Sequence, residues 1–427
     1  MQTPLLTERT HLFCPSIKVA VVVNIEGAVS FAMLESAIRQ AVAANEILCS
    51  TIGLDSDGTA YYRPTEKPLY TLSRSDEKWE TLVDAAHRKP CNLEEGPLLD
   101  CFVVQTEPDL QLLLVAHHLV GDGLSMALFV QDVMKALSGA SLVFKPLSLL
   151  SSDSVGDSRN LNPVMRFLLD RQNRSWRKTG KAFSYADYQR MVHSYWTDRG
   201  IHIASQNMHG ETLEKLLHFA KTHKLTLNSI ISTALFKVKG EKAKLGIAAS
   251  VRPEGYQGMG NYASGISVHY SYKSSKDFTE NAQTIQRLIQ KKTQNDDAKY
   301  FLLRFLQALD PTLIDAAYFA AYDGYDNPIA KRMQSMFGYH GKPTQIGLSN
   351  LMVLPIGAQY GPYRLSRFCF IPPLVPNNDT IVGVATLGMS MELSLIGSQS
   401  ESLDEIKTTL ERVVHELMDL VRGDLTS

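Results

Sequence analysis

One short segment concentrates the side chains able to do acid–base or metal chemistry: His117-His118-Leu119-Val120-Gly121-Asp122-Gly123. It lies between an apolar run ending at Ala116 and a helically spaced run starting at Leu124. Adjacent histidines at the end of a buried strand are costly unless their nitrogens are used. Neighbours on a strand point to opposite faces, so His117 and His118 have different tasks. Gly121 and Gly123 bracket Asp122, which is expected to allow a tight turn at positive φ. Three chemistries compete. The residue types suit a metal, but no third convergent ligand is identifiable and opposed histidines chelate poorly. Both rings could simply satisfy backbone groups. Or one neutral imidazole faces a channel as a general base.

Several other sites are missing. There is no GxSxG elbow, no GxxxxGK[ST] and no HExxH. Gly258-Met259-Gly260-Asn261-Tyr262-Ala263 fits GxGxxA, but a strand follows it where a dinucleotide site needs a helix, so it reads as a tight turn. Cys14, Cys49, Cys91, Cys101 and Cys369 are odd in number and widely spaced, without CxxC. They suggest neither a disulfide framework nor a zinc site, and fit a reducing, cytoplasmic compartment. Lys plus Arg total 43 against 44 Asp plus Glu, so no charge excess draws the chain to nucleic acid or an anionic membrane. The opening MQTPLLTERT shows no signal-peptide pattern. The longest apolar runs, Val19–Val23 and Leu112–Ala116, fall far short of the roughly 18 residues of a spanning helix, which argues against a transmembrane segment.

The elements that must position the motif follow from periodicity. Ile17–Glu26 reads as a strand, and Ser30 caps a helix carrying Phe31, Leu34, Ile38, Ala41 and Val42. Glu46–Gly53 is extended, with Ala60–Arg63 as its partner across a turn. A short helix is expected near Glu77–His87. Leu98–Thr106 and Leu110–Ala116 form a hairpin through Glu107–Asp109, and a helix runs from Leu124 to Leu137. Ser138–Pro163 reads as a long loop and Pro163–Lys178 as a basic helix. From about Gly200 a similar order of strand, helices and strands restarts, with further strands near Thr344–Ser349, Leu365–Ile371, Thr380–Leu387 and Met391–Ile396. A helix with Leu403, Ile406, Leu410, Val413 and Leu417 on one face closes the chain. At 427 residues, this predicts two similar α+β domains, 1–175 and 176–427, with Leu161–Gly200 as the linking region between them.

HHLVGDG matches the HHxxxDG motif, and the chain resembles the chloramphenicol acetyltransferase-like superfamily of condensation domains, polyketide-associated acyltransferases and alcohol acetyltransferases. Pro4-Leu5-Leu6-Thr7-Glu8, Ser250-Val251-Arg252-Pro253 with Gly260-Asn261, and Ser349-Asn350-Leu351 add to the likeness; Met352 stands where a glycine is common. The resemblance implies two acetyltransferase-like domains in a V, with the active-site channel between them. It implies His118 as base and Asp122 paired with an arginine, for which Arg252 is the candidate. The competing reading of Arg252 is a surface arginine before a proline.

The implied reaction is histidine-catalysed acyl transfer from a thioester to a hydroxyl. Neither a metal nor a resident cofactor is called for, since acyl-CoA or acyl-phosphopantetheine enters as donor substrate. Oxyanion donors would be amides around Gly121–Gly123 or the Asn350 side chain, which could also be a turn asparagine. Alternatives are a condensation enzyme forming an amide, and a noncatalytic carrier-binding homologue. Partners are the thioester donor, an alcohol or amine acceptor, and a carrier protein in trans. The basic helix Arg166–Lys178 is read as a solvated face, with carrier or CoA-phosphate docking as the competing use.

Overall fold

The computed structural model describes residues 3–105, 109–150, 155–156, 161–240, 243–339, 345–398 and 401–423. Glu107 and Pro108 of the expected hairpin connection, parts of the Ser138–Pro163 loop, and Thr344 lie outside the described residues.

The fold is α+β, built on two six-stranded sheets. The strands run in chain order as β1 (Thr3–Pro4), β2 (Lys18–Glu26), β3 (Ser50–Leu54), β4 (Ala60–Pro64), β5 (Thr71–Arg74), β6 (Leu99–Gln105), β7 (Leu110–His117), β8 (Ile201–His209), β9 (Ala243–Ser250), β10 (Ala263–Tyr270), β11 (Gln345–Val353), β12 (Gln359–Tyr360), β13 (Tyr363–Ile371), β14 (Asn378–Leu387) and β15 (Ser390–Ser398). The first sheet has the order β12-β13-β2-β7-β6-β5, and the second β10-β9-β11-β14-β15-β8. A small sheet β1-β4-β3 lies beside them.

β2 is central to the first sheet. It pairs antiparallel with β7 on one side and β13 on the other, and Val19–Val23 are fully buried. That explains its unbroken apolar run: a strand covered on both faces has no polar side to alternate. The helix Gly123–Leu137 packs on β2 and on the helix Phe31–Ala43, whose N-cap Ser30 accepts from Met33 N. In the second half, Leu213, Leu216, Ile230, Ile231, Ile406, Leu410 and Leu417 from three helices build a core with β14 and β15.

The halves are not consecutive stretches of chain. The boundary expected at 175/176 falls inside the helix Pro163–Arg177. β12 and β13 come from the second half yet complete the first sheet, and the helix Pro311–Tyr322 packs into the first core. The region read as a linker holds a further helix, Tyr185–Trp196, with a capping box between Ser184 and Asp187. β13 also joins the two sheets: the Ser394 hydroxyl donates to Phe370 O, and Arg367 pairs with Glu392. No helix among the described residues is long and apolar enough to cross a membrane.

Candidate functional site

The site is assembled where β7 ends and the helix Gly123–Leu137 begins. His118 N donates to Ile17 O at 3.0 Å, which ties the motif to the start of β2. Asp122 is the helix N-cap, and its Oδ1 accepts from Ser125 N at 2.8 Å. Such a cap contributes about 1 kcal/mol and starts the helix immediately after the motif.

Asp122 does more than cap. Its Oδ2 accepts from Tyr262 N at 2.9 Å, and its Oδ1 lies 3.0 Å from Arg252 Nη2. The Arg252 side chain is 7% exposed, its Nη1 donates to Gly258 O at 2.7 Å, and its guanidinium sits 4.5 Å over the Tyr262 ring. This is a buried partner and not a surface arginine. The GxGxxA segment closes the clamp: Gly260 O accepts from Asp122 N at 3.2 Å and from the Ser125 hydroxyl at 2.6 Å, and Met259 N donates to Asn45 Oδ1 at 3.4 Å. Both carboxylate oxygens of Asp122 are thus committed to positioning. It does not converge with the histidines, and no group of three or more His, Cys, Asp or Glu among the described residues could hold a metal.

The two glycines act differently from expectation. Neither Gly121 nor Gly123 has positive φ. What they supply is room. A Cβ on Gly123 would lie 2.6 Å from the Phe370 ring and 2.8 Å from Leu351 Cδ2, and one on Gly121 would lie 3.0 Å from Met259 Cε and from Ser125 Cβ. The positive φ instead falls at Met352, at 62°, after Asn350 turns its Oδ1 onto Met352 N at 2.8 Å. Asn350 thus sits inside β11, where the register with β14 shifts, and Leu351 packs toward Gly123.

The histidines divide their tasks. His117 Nδ1 accepts from Leu119 N at 3.2 Å, so its proton sits on Nε2, which is buried without a partner. Opposite it in the β2–β7 register is Lys18, whose ammonium donates to the carbonyls of Ala86 and Lys89. Burial, helped by Lys18 and His118, pushes His117 down to about 3, so it stays neutral. His118 is 8% exposed; its Nδ1 is buried and makes no hydrogen bond, so both histidines leave a buried nitrogen unpaired. Burial lowers its pKa, opposed by the Asp122 charge and by the nearby carbonyls of His118 and Gly121.

One residue at the site carries no sequence signal. His11, on the short helix Arg9–Leu12, stacks on His118 with ring centroids 4.8 Å apart and planes 4° from parallel. Ser125 had a weak signal as the third residue after a capping aspartate. Gly260 and Tyr262 were read only within a tight turn and, for Gly260, in the family likeness; their contacts to the motif cross 135 and 140 residues and had no signal.

A channel at His118 was expected. A cleft of about 730 Å³ does open between the halves, but it is lined by Ser205–Asn207, Arg364–Arg367 and Leu387–Ser390 with their neighbours, and includes no motif residue. It lies toward the far end of β13 from Phe370, and its arginines Arg364 and Arg367 are paired with Glu26 and Glu392. The basic helix exposes Arg171, Arg174 and Arg177 beside Val164, Phe167 and Leu168, with Arg177 paired to Asp310. All five cysteines are free thiols.

Residues 11–151, which contain the motif, match the family model of the condensation domain. Chondramide synthase cmdD of Chondromyces crocatus is 30% identical over 138 residues, and surfactin synthase subunit 2 of Bacillus subtilis (strain 168) is 30% identical over 131. Each alignment covers 30% of this chain, and the chain spans about 4% of the length of those proteins. Polyketide synthase associated protein 5 from Mycobacterium tuberculosis shares the fold with a TM-score of 0.65 and 12% identity, over 99% of both chains. The first condensation domain of the CDA synthetase gives 0.65 and 13%, over 99% of this chain and 96% of that one. The starter condensation domain of rhizomide synthetase RzmA, solved in complex with C8-CoA, gives 0.62 and 14%, over 99% and 95%.

Proposed function

We propose that this chain, which resembles the chloramphenicol acetyltransferase-like superfamily, transfers an acyl group from a thioester to a hydroxyl acceptor, with His118 as general base. The observation that carries this reading is a buried imidazole, lowered in pKa by desolvation, held at a strand end by a clamp that spans both halves of the fold. A base must be neutral at working pH to accept a proton, and burial disfavours the charged ring.

The steps balance without a covalent enzyme intermediate. His118 takes the proton of the acceptor O–H as its oxygen attacks the thioester carbonyl. The C=O pair moves onto oxygen. Collapse restores the carbonyl, breaks the C–S bond, and returns the imidazolium proton to the departing sulfur. Asp122 N is already given to Gly260 O. The first-turn amides of Gly123 and Leu124, which no intrahelical carbonyl can accept, are therefore the donors for the oxyanion. Asp122, Arg252 and Ser125 hold the loop, and His117 closes its turn.

A hydroxyl is barely acidic and needs a base, which supports the alcohol as acceptor. Amide formation is the second reading, favoured by the condensation-domain match over residues 11–151. The crystal complex of a related fold with C8-CoA supports an acyl thioester of the CoA or carrier-bound class as donor.

The test is incubation with a panel of acyl-CoAs and acyl-carrier proteins, following free thiol, with hydroxyl and amine analogues of one acceptor scaffold. Ester formation is expected, with His118→Ala lowering turnover by about 10²–10⁴. The rate should fall on the acid side only below the ordinary histidine value of about 6.5, because the ring is lowered. Efficient amide with no ester overturns the hydroxyl acceptor; equal turnover by the His118→Ala variant removes the histidine as base.

A further inference from the structure

We infer that His11 is a positioning residue for His118: its stacked ring covers one face of that imidazole and sets its plane. The inference rests on His118 being the base. The argument starts from what orients the His118 ring. A ring that must aim one nitrogen at an acceptor is ordinarily oriented through a partner on the other nitrogen. Here Nδ1 is buried and has only backbone carbonyls beside it, those of His118 itself and Gly121, and no side-chain partner. The well-defined partner of the ring is the parallel face of His11, 4.8 Å away.

His11 is itself held. Its N–H donates to Glu8 O at 2.8 Å, and its helix is fastened on both sides. Arg9 forms a buried pair with Asp315 and donates to Gly58 O at 2.7 Å. Tyr318 donates its hydroxyl to Thr10 O at 2.8 Å, and Leu12 and Phe13 are fully buried. A four-residue helix anchored this way presents His11 as a rigid plate.

The charges around the pair leave it neutral. His117, at the end of β7, is a neutral ring. Asp122 is neutralised by Arg252, Arg9 by Asp315, and Lys18 faces the carbonyls of Ala86 and Lys89. Glu8 lies near Tyr62, whose hydroxyl is committed to Leu119 O. Burial, with the His118 and His117 rings, holds His11 well below the ordinary histidine value, so it stays neutral. His11 thus acts on His118 as a neutral cover that keeps water from one face, not as a charge.

That distinction sets the experiment. The His118 titration is followed by side-chain ¹⁵N–¹H NMR in the resting protein, for wild type, His11→Phe and His11→Ala, with thermal melts to verify folding. Phenylalanine keeps a flat cover without a titrating group; alanine removes it. His11→Ala should raise the His118 pKa toward about 6.5 and lower kcat by about 10- to 100-fold with little change in KM. His11→Phe should retain the wild-type titration and kcat. An unchanged His118 titration in folded His11→Ala overturns the inference, as does His11→Phe failing as badly as His11→Ala. The NMR arm needs no substrate, so it stands or falls separately from acyl transfer.

Discussion

Asp122 and Arg252 are 130 residues apart in the chain and meet at 3.0 Å, with their side chains 10% and 7% exposed. The same arginine reaches the Ser125 hydroxyl and Gly258 O, so one side chain from the second half of the chain contacts both the motif helix and the Gly258–Ala263 segment.

Breaking that pair leaves an uncompensated buried charge. Asp122→Asn should therefore destabilise by about 3–5 kcal/mol and disorder the loop, lowering activity as well. Replacing Arg252 by methionine removes the charge that Asp122 balances. A double-mutant cycle read by urea denaturation should show coupling of about 1–3 kcal/mol. Additivity would mean that the two side chains do not share the work of holding the loop.

Gly123→Ala places a methyl group against Phe370 and Leu351, both at less than 3 Å. Phe370 is 2% exposed and sits in a packed core, so its ring has little room to yield. Overpacking of this kind should lower stability by about 1–3 kcal/mol and shift the first turn of the motif helix. Wild-type melting temperature and turnover in this variant would show that the glycine is not there for space.

Glu8 is 1% exposed with neither oxygen hydrogen-bonded, and burial raises its pKa from 4.5 to about 7. The folded protein thus holds a proton that the unfolded chain releases between those values. Stability from Glu8 is full below about pH 4.5 and is lost as pH rises through about 7. At 1.36 kcal/mol per pH unit the loss is on the order of 3 kcal/mol. Glu8→Gln should therefore be more stable than wild type at pH 8.5 and indistinguishable from it at pH 4.5, by denaturant midpoint. A constant difference across that range would refute the ionisation argument.

How much was legible in the sequence depended on how local the cause was. Ser30 as a cap, the apolar run of β2 and the helix after Gly123 are set by neighbours within a few residues, and all were readable. Tyr185–Trp196 was equally local, with Ser184 and Asp187 as a capping box, but was absorbed into a supposed linker. β5, Thr-Leu-Ser-Arg, is a mostly polar edge strand whose parallel partner β6 lies 29 residues on. At the site, HHxxxDG marked the loop, whereas the reason for its glycines lay in Phe370, Leu351 and Met259, which no spacing indicates. His11 could not be found from pattern, since one histidine in a four-residue helix has no periodicity to read.

The crossing of β13 into the first sheet bears on how the chain is made. β2 leaves the ribosome long before its outer neighbour, which follows 338 residues later, the separation of the Glu26–Arg364 contact. Synthesis at about 5–20 residues per second leaves that apolar edge unpaired for tens of seconds, a template for joining other chains. The first sheet cannot close as an early, independent unit, and its completion coincides with the moment the two halves are joined. Nascent chains of this protein should therefore depend on holding factors until residue 371 has emerged, and fragments ending before β13 should accumulate as aggregates while the full chain remains in solution.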